Sequence, residues 1–225
     1  MNYQITVRLL ADALIGSGEG FGAIIDTDVV FDEVRIPYIP GRRFKGCLRD
    51  SANEVLGIFD KCAINGFIST DKNNGRFRVI DEIFGTPEDP SLLHISNLTI
   101  GDYENNKNCL RYFNKKYPYI LPKDEIISYF TIIRQQTKID ARGLAEENSL
   151  RTIRAVKKGF TFEGNISADT DNDAGNGNVG RLLWLACLNL RHMGTKRNRG
   201  FGEVECSLSE INSRKFAADL ESVCK

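Results

Sequence analysis

The sequence of 225 residues has no apolar run near the roughly 20 residues that a membrane-spanning helix needs. Its N-terminus alternates polar and apolar residues and has no signal-peptide core. These absences argue against a membrane protein or a membrane partner, and they favour a cytoplasmic location. The six cysteines are scattered without a C-x-x-C pair, so we interpret them as small buried hydrophobic residues and not as disulfides.

Recognisable cofactor sites are also scarce. The glycine-dense segment at residues 16–22 lacks the helix of a dinucleotide fingerprint and the Lys of a P-loop, which argues against a nucleotide cofactor. No serine stands in a nucleophile elbow. Residues 169–175 begin like a calcium loop but are not followed by the Glu that such a loop needs, so we interpret them as a polar surface loop. A zinc site built from His94, Cys62 and Cys109 stays open.

The charges balance, with 30 Lys and Arg against 30 Asp and Glu, which argues against a protein that coats nucleic acid indiscriminately. They are nevertheless segregated along the chain. Every charge between residues 11 and 34 is acidic, and every charge from Arg35 to Arg49 is basic. Two more basic segments follow at residues 151–158 and 191–199. Such blocks could pair with one another, or they could form a polyanion track beside a site that needs a carboxylate.

The stretch from Ile36 to Arg49 joins a Pro-Gly turn to the start of a helix. Apolar residues at helical spacing predict this helix over about residues 42–57. Arg42, Lys45 and Arg49 then line one edge of it. A cationic edge beside free backbone N–H groups at a helix N-terminus suits phosphate, whereas the ordinary alternative is a solvated helix face.

The segment from Gly194 to Gly202 combines glycines with three cations. Glycine lets the backbone approach a ligand closely, and Lys196, Arg197 and Arg199 would face that ligand. A structural turn can need the glycines but gains nothing from the three cations together. We therefore interpret this segment as a phosphate-binding loop.

The succession of elements indicates an α+β fold in one domain over residues 1–225, because no linker divides the chain. The order strand, helix, strands, helix, strand is compatible with a ferredoxin-like sheet. We predict strands at 3–10, 93–103, 129–139, 159–168 and 201–208, and an extended segment at 23–39. Helices are predicted at 42–57 and 179–190, the latter ended by Gly194, and a helical tail at 212–225. Residues 58–90 should be irregular with a turn at 73–75 between short strands, residues 105–127 show no clear period, and residues 140–149 and 169–180 should form loops.

Six segments, in order, resemble the RAMP superfamily, and specifically the backbone subunit of type III CRISPR–Cas effector complexes. Each motif alone is weak, but six in register cover most of the chain. They are the glycine loop after the first strand (14–18), the segment that contains Asp26 (23–30), the IPYIPG–K–G helix start (36–46), the IFG element with its following strand (83–99), the thumb segment (139–164) and the C-terminal glycine loop (194–202).

The resemblance implies a ferredoxin-like (RNA-recognition-motif-like) palm. Fingers or a lid would be inserted at about 58–92 and 104–127, and a thumb β-hairpin at about 131–159. It also implies that copies of the chain stack along a CRISPR RNA, with other type III effector subunits as partners. The thumb of each copy would kink the duplex of guide and target RNA, and the target RNA would be cleaved at regular intervals.

The resemblance further assigns roles to residues. Asp26 matches the aspartate required for target-RNA cleavage, a reaction that depends on a divalent metal, Mg²⁺ or Mn²⁺, and for which the 2′-hydroxyl is the expected nucleophile. Asp26 would position that hydroxyl or the metal. RNA contacts fall by position on Arg42, Arg43, Lys45, Arg49, Arg151, Arg154, Lys196, Arg197, Arg199 and Gly200.

The chain also departs from the family pattern. Arg42 and Arg43 stand where small serines are common, and Asp28 stands where a proline is common and competes with Asp26 for the catalytic role. Two alternatives stay open. One is a structural guide-binding subunit without catalysis. The other is a CRISPR-RNA-processing endoribonuclease, against which Leu14 counts, because that class places a His near the first glycine region.

Overall fold

The secondary structure combines seven strands and six helices over the residues that the computed structural model describes, which are 1–16, 25–64, 66–68, 75–169, 173–209 and 213–224. In chain order the elements are β1 (Asn2–Leu9), α1 (Gly41–Lys61), α2 (Gly75–Phe84), β2 (Leu93–Ile95), β3 (Thr99–Ile100), α3 (Tyr103–Lys116), α4 (Lys123–Phe130), β4 (Thr131–Gln136), β5 (Arg151–Val156), β6 (Thr161–Ala168), α5 (Asp173–Asn189), β7 (Val204–Leu208) and α6 (Ser213–Val223).

The central sheet has the order β2-β6-β1-β7, and every neighbouring pair is antiparallel. The short strand β3 also pairs with β6. Val7 in the middle of β1 lies opposite Phe162 on one side and Cys206 on the other. With α1 between β1 and β2, and α5 between β6 and β7, this order and connectivity are those of a ferredoxin-like fold, as predicted.

The core lies between this sheet and the helix pair α1 and α5. Odd-numbered residues of β1 are buried and most even-numbered ones are exposed, so the predicted alternation is confirmed. Helix α1 buries Phe44, Leu48 and Ala52 at helical spacing. The Ser51 hydroxyl donates to the Ala186 carbonyl at 2.8 Å, a hydrogen bond that joins α1 to α5.

Three segments predicted without helix are helical. Helix α1 continues to Lys61 and α2 occupies Gly75–Phe84, where irregular structure and a turn between short strands were expected. Residues 73 and 74 of that turn lie outside the described residues. Helices α3 and α4 fill most of 105–127. Helix α3 fully buries no side chain, and it packs against the core only through partly buried residues such as Tyr103 and Leu110, so its apolar stripe is narrow.

Two further expectations for the second core helix were wrong. Helix α5 begins at Asp173, inside the segment predicted as a loop. Glycine and asparagine at its start are poor helix formers, which is why the sequence indicated a loop, but the tertiary structure overrides this preference. It ends at Asn189, five residues before Gly194. Gly194 instead has a φ of +83° in the following turn.

The cysteines are free, as predicted, but most are not buried. Only Cys187 and Cys206 lie in the core. Cys62, Cys109 and Cys224 are exposed, so the interpretation of all six as buried hydrophobic residues is wrong for these three. Among the described residues, no helix is long and apolar enough to cross a membrane.

Gly41 starts α1 where the helix touches the connection between β2 and β3. Its N–H donates to Asn97 Oδ1 at 3.0 Å. Ile39 and Leu98 exchange two backbone hydrogen bonds of 2.9 Å directly beside it. A Cβ at position 41 would overlap the carbonyl oxygens of Ile95 and Ser96. Only glycine fits this close approach of two backbones.

We predict that Gly41→Ala and Gly46→Ala change stability in opposite directions. Gly41→Ala should lower the free energy of unfolding by about 1–3 kcal/mol, because the methyl group meets backbone atoms that cannot move aside. Gly46 lies within α1 with no atom within 4 Å of an added Cβ. Gly46→Ala should therefore raise the free energy of unfolding by about 0.5–1 kcal/mol. Urea unfolding followed by circular dichroism measures both, and equal values for the two variants would contradict the close approach.

Candidate nucleic-acid interface

A groove lies between two segments, which we call the thumb and the basic loop. The thumb is the hairpin of β4 and β5 with the intervening residues 137–150, and it falls within the range predicted for it. The basic loop is residues 194–202, and its residues 197–199 form a short 3₁₀ helix. The cavity between them has a volume of about 1210 Å³ and is lined by residues 136–139, 146–149, 151 and 194–199.

The basic loop takes its shape from contacts with the chain just after β1. Thr195 N–H donates to the Leu14 carbonyl at 3.1 Å, and Gly202 N–H donates to the Asp12 carbonyl at 2.9 Å. Gly194 packs so closely on Leu14 that a Cβ would overlap its carbonyl oxygen. Lys196 and Gly200 have positive φ values of 60° and 78° on either side of the 3₁₀ turn. The cations of the loop are therefore presented on a fixed backbone.

Asp26 lies against the base of the thumb. Its N–H donates to the Thr152 carbonyl at 2.9 Å, and its Oδ2 accepts from Thr152 N–H at 2.6 Å. Thr27 forms a parallel bridge with Ile153 next to it. The Asp26 side chain is exposed, so β5 holds this carboxylate in place while solvent or a ligand can still reach it.

Asp28 is buried and forms an ion pair with Arg154 of the thumb. Asp28 Oδ2 lies 2.7 Å from Arg154 Nη1, and only 9% and 13% of the two side chains are exposed. Asp28 Oδ1 also accepts from Val29 N–H at 2.8 Å. The guanidinium predicted to contact RNA thus neutralises Asp28 inside the protein. Of the two candidate catalytic acids, Asp26 is the exposed one.

The cations of the groove meet at Gln136, which ends β4. Its Oε1 accepts from Lys196 Nζ at 2.7 Å and from Arg199 Nη1 at 3.5 Å. Arg151 is the cross-strand partner of Gln136. Burial lowers the pKa of Lys196, and the positive charges of Arg199 and Arg151 lower it further, whereas the negative charge of Asp26 raises it. Arg199, Arg151 and Asp26 therefore all act electrostatically on Lys196 within one site.

The cations on α1 have different surroundings. Lys45 Nζ donates to the Leu93 carbonyl at 2.9 Å and also to the Ser91 hydroxyl. Arg49 donates to Asp81 at 2.6 Å and to the Gly85 carbonyl at 3.0 Å. These contacts tie α1 to α2 and to the start of β2. Burial lowers the pKa of Lys45, and the neighbouring Arg49 lowers it further. Both side chains thus have partners within the protein, away from the groove.

The predicted phosphate seat at the start of α1 is largely closed. Gly41 N–H is bonded to Asn97, and the N–H groups of Arg43 and Phe44 donate to the Pro40 carbonyl at 2.9 Å and 3.1 Å. The expectation of free amides pointing outward is therefore wrong for these three. Arg42 and Arg43 themselves have exposed side chains that a polyanion can reach.

No group of three or more His, Cys, Asp or Glu side chains within the described ranges could hold a metal ion. His94, Cys62 and Cys109 therefore do not form the zinc site that was considered from the sequence. Mg²⁺ is commonly bound by one or two carboxylates together with substrate phosphates, which agrees with a single exposed carboxylate at Asp26. The described residues fit an ion shared with RNA and do not fit an ion held by protein side chains alone.

Two polar residues of the site were missed from the sequence. Gln136 was missed because a glutamine at the end of a strand carries no signal of its own. Asp12 Oδ2 lies 3.0 Å from Arg134 of the thumb, and its Oδ1 accepts from Lys158 N–H at 3.1 Å. The acidic block at 11–34 includes Asp12, but only the fold shows that Asp12 joins the thumb to the segment that follows β1.

Comparisons with known proteins agree with this geometry. The sequence profile of the RAMP superfamily matches residues 6–205. A cryo-EM structure of type III-B Cmr-beta bound to cognate target RNA has a TM-score of 0.63 at 15% identity, with 99% of this chain and 98% of that chain covered. A cryo-EM structure of type III-B Cmr-beta in the apo state has a TM-score of 0.61 at 15% identity, with 93% and 98% covered. No curated protein matches the chain at a significant level.

We predict that Asp28→Asn destabilises the protein and that Asp26→Asn does not. Loss of the Asp28 charge leaves Arg154 buried without its counter-ion, which should cost about 3 kcal/mol of unfolding free energy. Asn at position 26 keeps a carbonyl oxygen to accept from Thr152 N–H, and its side chain is exposed, so the expected change is below about 0.5 kcal/mol. Thermal and urea unfolding measure both variants. An Asp28→Asn variant as stable as the wild type would exclude the ion pair.

Proposed function

Because the chain belongs to the RAMP superfamily, we propose that it is a CRISPR-RNA-binding backbone subunit of a type III effector complex that cleaves guide-complementary target RNA. The observation that carries the proposal is the exposed Asp26 carboxylate, held by Thr152 of the thumb beside the cations of the basic loop. The similarity in fold to type III-B Cmr-beta supports it. Other copies of the chain and other type III effector subunits would be its protein partners.

The groove suits the sugar-phosphate backbone of RNA. Lys196, Arg197 and Arg199 line one wall, and Arg151 belongs to the thumb side. Backbone contacts of this kind fix the register of RNA without reading its sequence, which a guide-binding subunit requires because its guides vary. Gly200 follows the cations with a φ of +78° and lets the loop turn back toward β7. Arg42 and Arg43, exposed at the start of α1, would extend the same contacts.

The thumb carries apolar side chains suited to opening a duplex. Ile139 and Leu144 lie between β4 and β5 and are 65% and 62% exposed. Apolar wedges of this kind insert between base steps, unstack them and kink a duplex. We infer that the thumb displaces one target nucleotide and thereby allows the in-line approach of a 2′-hydroxyl that stacked A-form RNA prevents. Asp26, at the base of the thumb, would orient that hydroxyl and accept its proton while the hydroxyl oxygen bonds the adjacent phosphorus and the 5′-oxygen of the next nucleotide leaves.

A divalent cation, Mg²⁺ or Mn²⁺, is part of the proposal. Asp26 would hold it together with a phosphate of the target RNA, and the ion would stabilise charge that develops on the phosphate. Lys196 and Arg199 would contribute to the same stabilisation, because Lys196 lies close enough to Arg199 and to Asp26 to respond to both charges.

A structural subunit without catalysis is the second candidate. It is favoured by the hydrogen bond from Thr152 N–H to Asp26 Oδ2, which gives the Asp26 carboxylate a structural role at the base of the thumb. Such a subunit would use the groove and the thumb in the same way and would leave the target RNA intact. The two candidates differ only in what happens to the target RNA at Asp26.

Cleavage by the assembled complex tests the catalytic proposal. Wild-type complex should cut a labelled, guide-complementary RNA into regularly spaced products with Mg²⁺ and none with EDTA. Asp26→Asn should bind the same RNA within about twofold of wild type and slow cleavage by at least about 10²-fold, which is the range lost with a group that acts in proton transfer. Glu205→Gln, an exposed acid on β7, is the matched control and should cut normally. Binding by the wild type without cleavage would establish the structural subunit instead.

Salt dependence tests the groove. The double variant Lys196→Gln, Arg199→Gln should bind CRISPR RNA more weakly and should reduce the slope of log affinity against log salt by about 1.4, since each phosphate contact contributes about 0.7. The control is the double variant Arg8→Gln, Arg191→Gln, which removes the same charge from two exposed residues outside the groove. Fluorescence anisotropy across a salt titration measures both. An identical slope in the two double variants would remove the groove from the RNA path.

A further inference from the structure

Helix α3 and the turn after it present a second surface with the chemistry of an RNA contact. We define the tyrosine–lysine surface as Tyr112, Lys115, Lys116, Tyr117 and Tyr119. Tyr119 is 96% exposed, Tyr112 is 53% exposed and Tyr117 is 39% exposed. Single exposed aromatic residues are common on proteins, but three within eight residues form a patch. No role in the groove or in the core accounts for this patch.

The rings and the lysine of this surface hold one another in place. Tyr112 and Tyr117 meet edge to face with ring centroids 6.3 Å apart. Lys116 Nζ lies 5.3 Å from the Tyr112 centroid and 5.4 Å from the Tyr117 centroid, and it donates to the Tyr112 hydroxyl at 2.9 Å. Phe113 packs against both rings from the same helix. Rings fixed in this way lose little conformational entropy when a ligand stacks on them.

A turn carries Tyr119 away from the protein. Ile120 N–H donates to the Tyr117 carbonyl at 3.0 Å, which closes a four-residue turn with Pro118 at its second position. The proline fixes the backbone ahead of Tyr119. The turn thereby presents both faces of the Tyr119 ring to solvent, in agreement with its exposed fraction of 96%.

The charge of the surface selects the kind of ligand. Residues 112–123 include three lysines and no acidic residue. Neither Lys115 nor Lys116 pairs with a carboxylate of the described residues, whereas Lys107 and Arg111 on the same helix are paired with Glu33. Cations beside exposed aromatic faces suit single-stranded nucleic acid, whose bases stack and whose phosphates need positive charge. Duplex RNA keeps its bases stacked inside and offers none to the rings.

We propose that the tyrosine–lysine surface binds unpaired nucleotides of a single-stranded RNA segment. Bases would stack on Tyr119 and Tyr117, while Lys115 and Lys116 would contact the flanking phosphates. The inference deepens the proposed RNA-binding function and rests on it, but it adds a contact outside the groove. It also assigns a ligand to the predicted finger insertion at 104–127, for which the groove provides none.

The test is binding of the full-length chain to a labelled 12-nucleotide single-stranded RNA and to an RNA duplex of equal length, by fluorescence anisotropy. Tyr119→Ala should weaken single-strand binding about 5- to 10-fold, in the range that loss of one stacked base produces, and should leave duplex binding unchanged. Tyr119→Phe keeps the ring and should bind like the wild type. Tyr129→Ala, at another exposed tyrosine (66% exposed), is the control and should not weaken single-strand binding.

Ultraviolet crosslinking gives a second, direct readout. Irradiation of the complex with a uridine-rich strand should attach a nucleotide to residues 117–123, which trypsin releases as one peptide between Lys116 and Lys123. Unchanged single-strand binding by Tyr119→Ala, with the crosslink absent, overturns the inference while the proposed function stands. If Tyr119→Ala binds RNA normally and loses self-association in sedimentation, the surface contacts protein and the inference is overturned.

The groove variant separates this inference from the proposed function. Lys196→Gln with Arg199→Gln should weaken binding of CRISPR RNA and should leave the crosslink at 117–123 in place. A wild-type chain that binds neither strand nor duplex would overturn the proposed function and the inference together. Loss confined to the Tyr119 variants supports the second surface alone.

Discussion

The buried ion pair between Asp28 and Arg154 is the constraint on which the candidate site depends. It joins the extended segment after the glycine loop to the thumb. Beside it, Asp26 N–H bonds the Thr152 carbonyl and Thr27 forms a bridge with Ile153, so the two segments pair in one register. A buried ion pair often adds little net stability, because desolvation of both charges offsets their attraction. What it supplies here is position. Asp26, two residues before Asp28, is held separately by the backbone of Thr152 and stays exposed.

The remaining contacts connect the thumb to the palm at points far apart in sequence. Asp12, three residues after β1, forms an ion pair with Arg134 of β4, and Gln136 of β4 accepts a hydrogen bond from Lys196 of the basic loop. The basic loop is in turn fixed on Leu14. The thumb cannot move relative to the basic loop without breaking several of these contacts. Asp26 and the cations therefore keep one arrangement, as the proposed positioning of a hydroxyl against a phosphate would require.

The elements that could be predicted from the sequence are those in which burial of one face gives a periodic pattern of apolar residues. The alternation in β1 and the stripe of Phe44, Leu48 and Ala52 predicted their elements because burial imposes a period on residue type. Helix α3 was missed because it fully buries no side chain and touches the core only through partly buried residues such as Tyr103 and Leu110, so its apolar pattern is narrow. The basic segments predicted a set of RNA contacts, which stays a prediction. Sequence spacing could not show that Arg154, Lys45 and Arg49 each have a partner within the protein, since those partners come from distant segments.

The pairing of some cations within the protein explains how a chain with a net charge of zero can present positive charge to a polyanion. Arg49, Arg154 and Lys107 pair with acids of other segments, and such pairs contribute little field beyond their immediate surroundings. Exposed cations such as Arg42 and Arg43, Arg197 and Arg199 of the basic loop, and the lysines beside the tyrosines of α3 remain available to an anion. Burial and the neighbouring charges of Arg199 and Arg151 lower the pKa of Lys196, whereas the charge of Asp26 raises it. A phosphate bound beside Lys196 would stabilise its charged form. Lys196 would therefore gain more from an anion than a fully exposed lysine would.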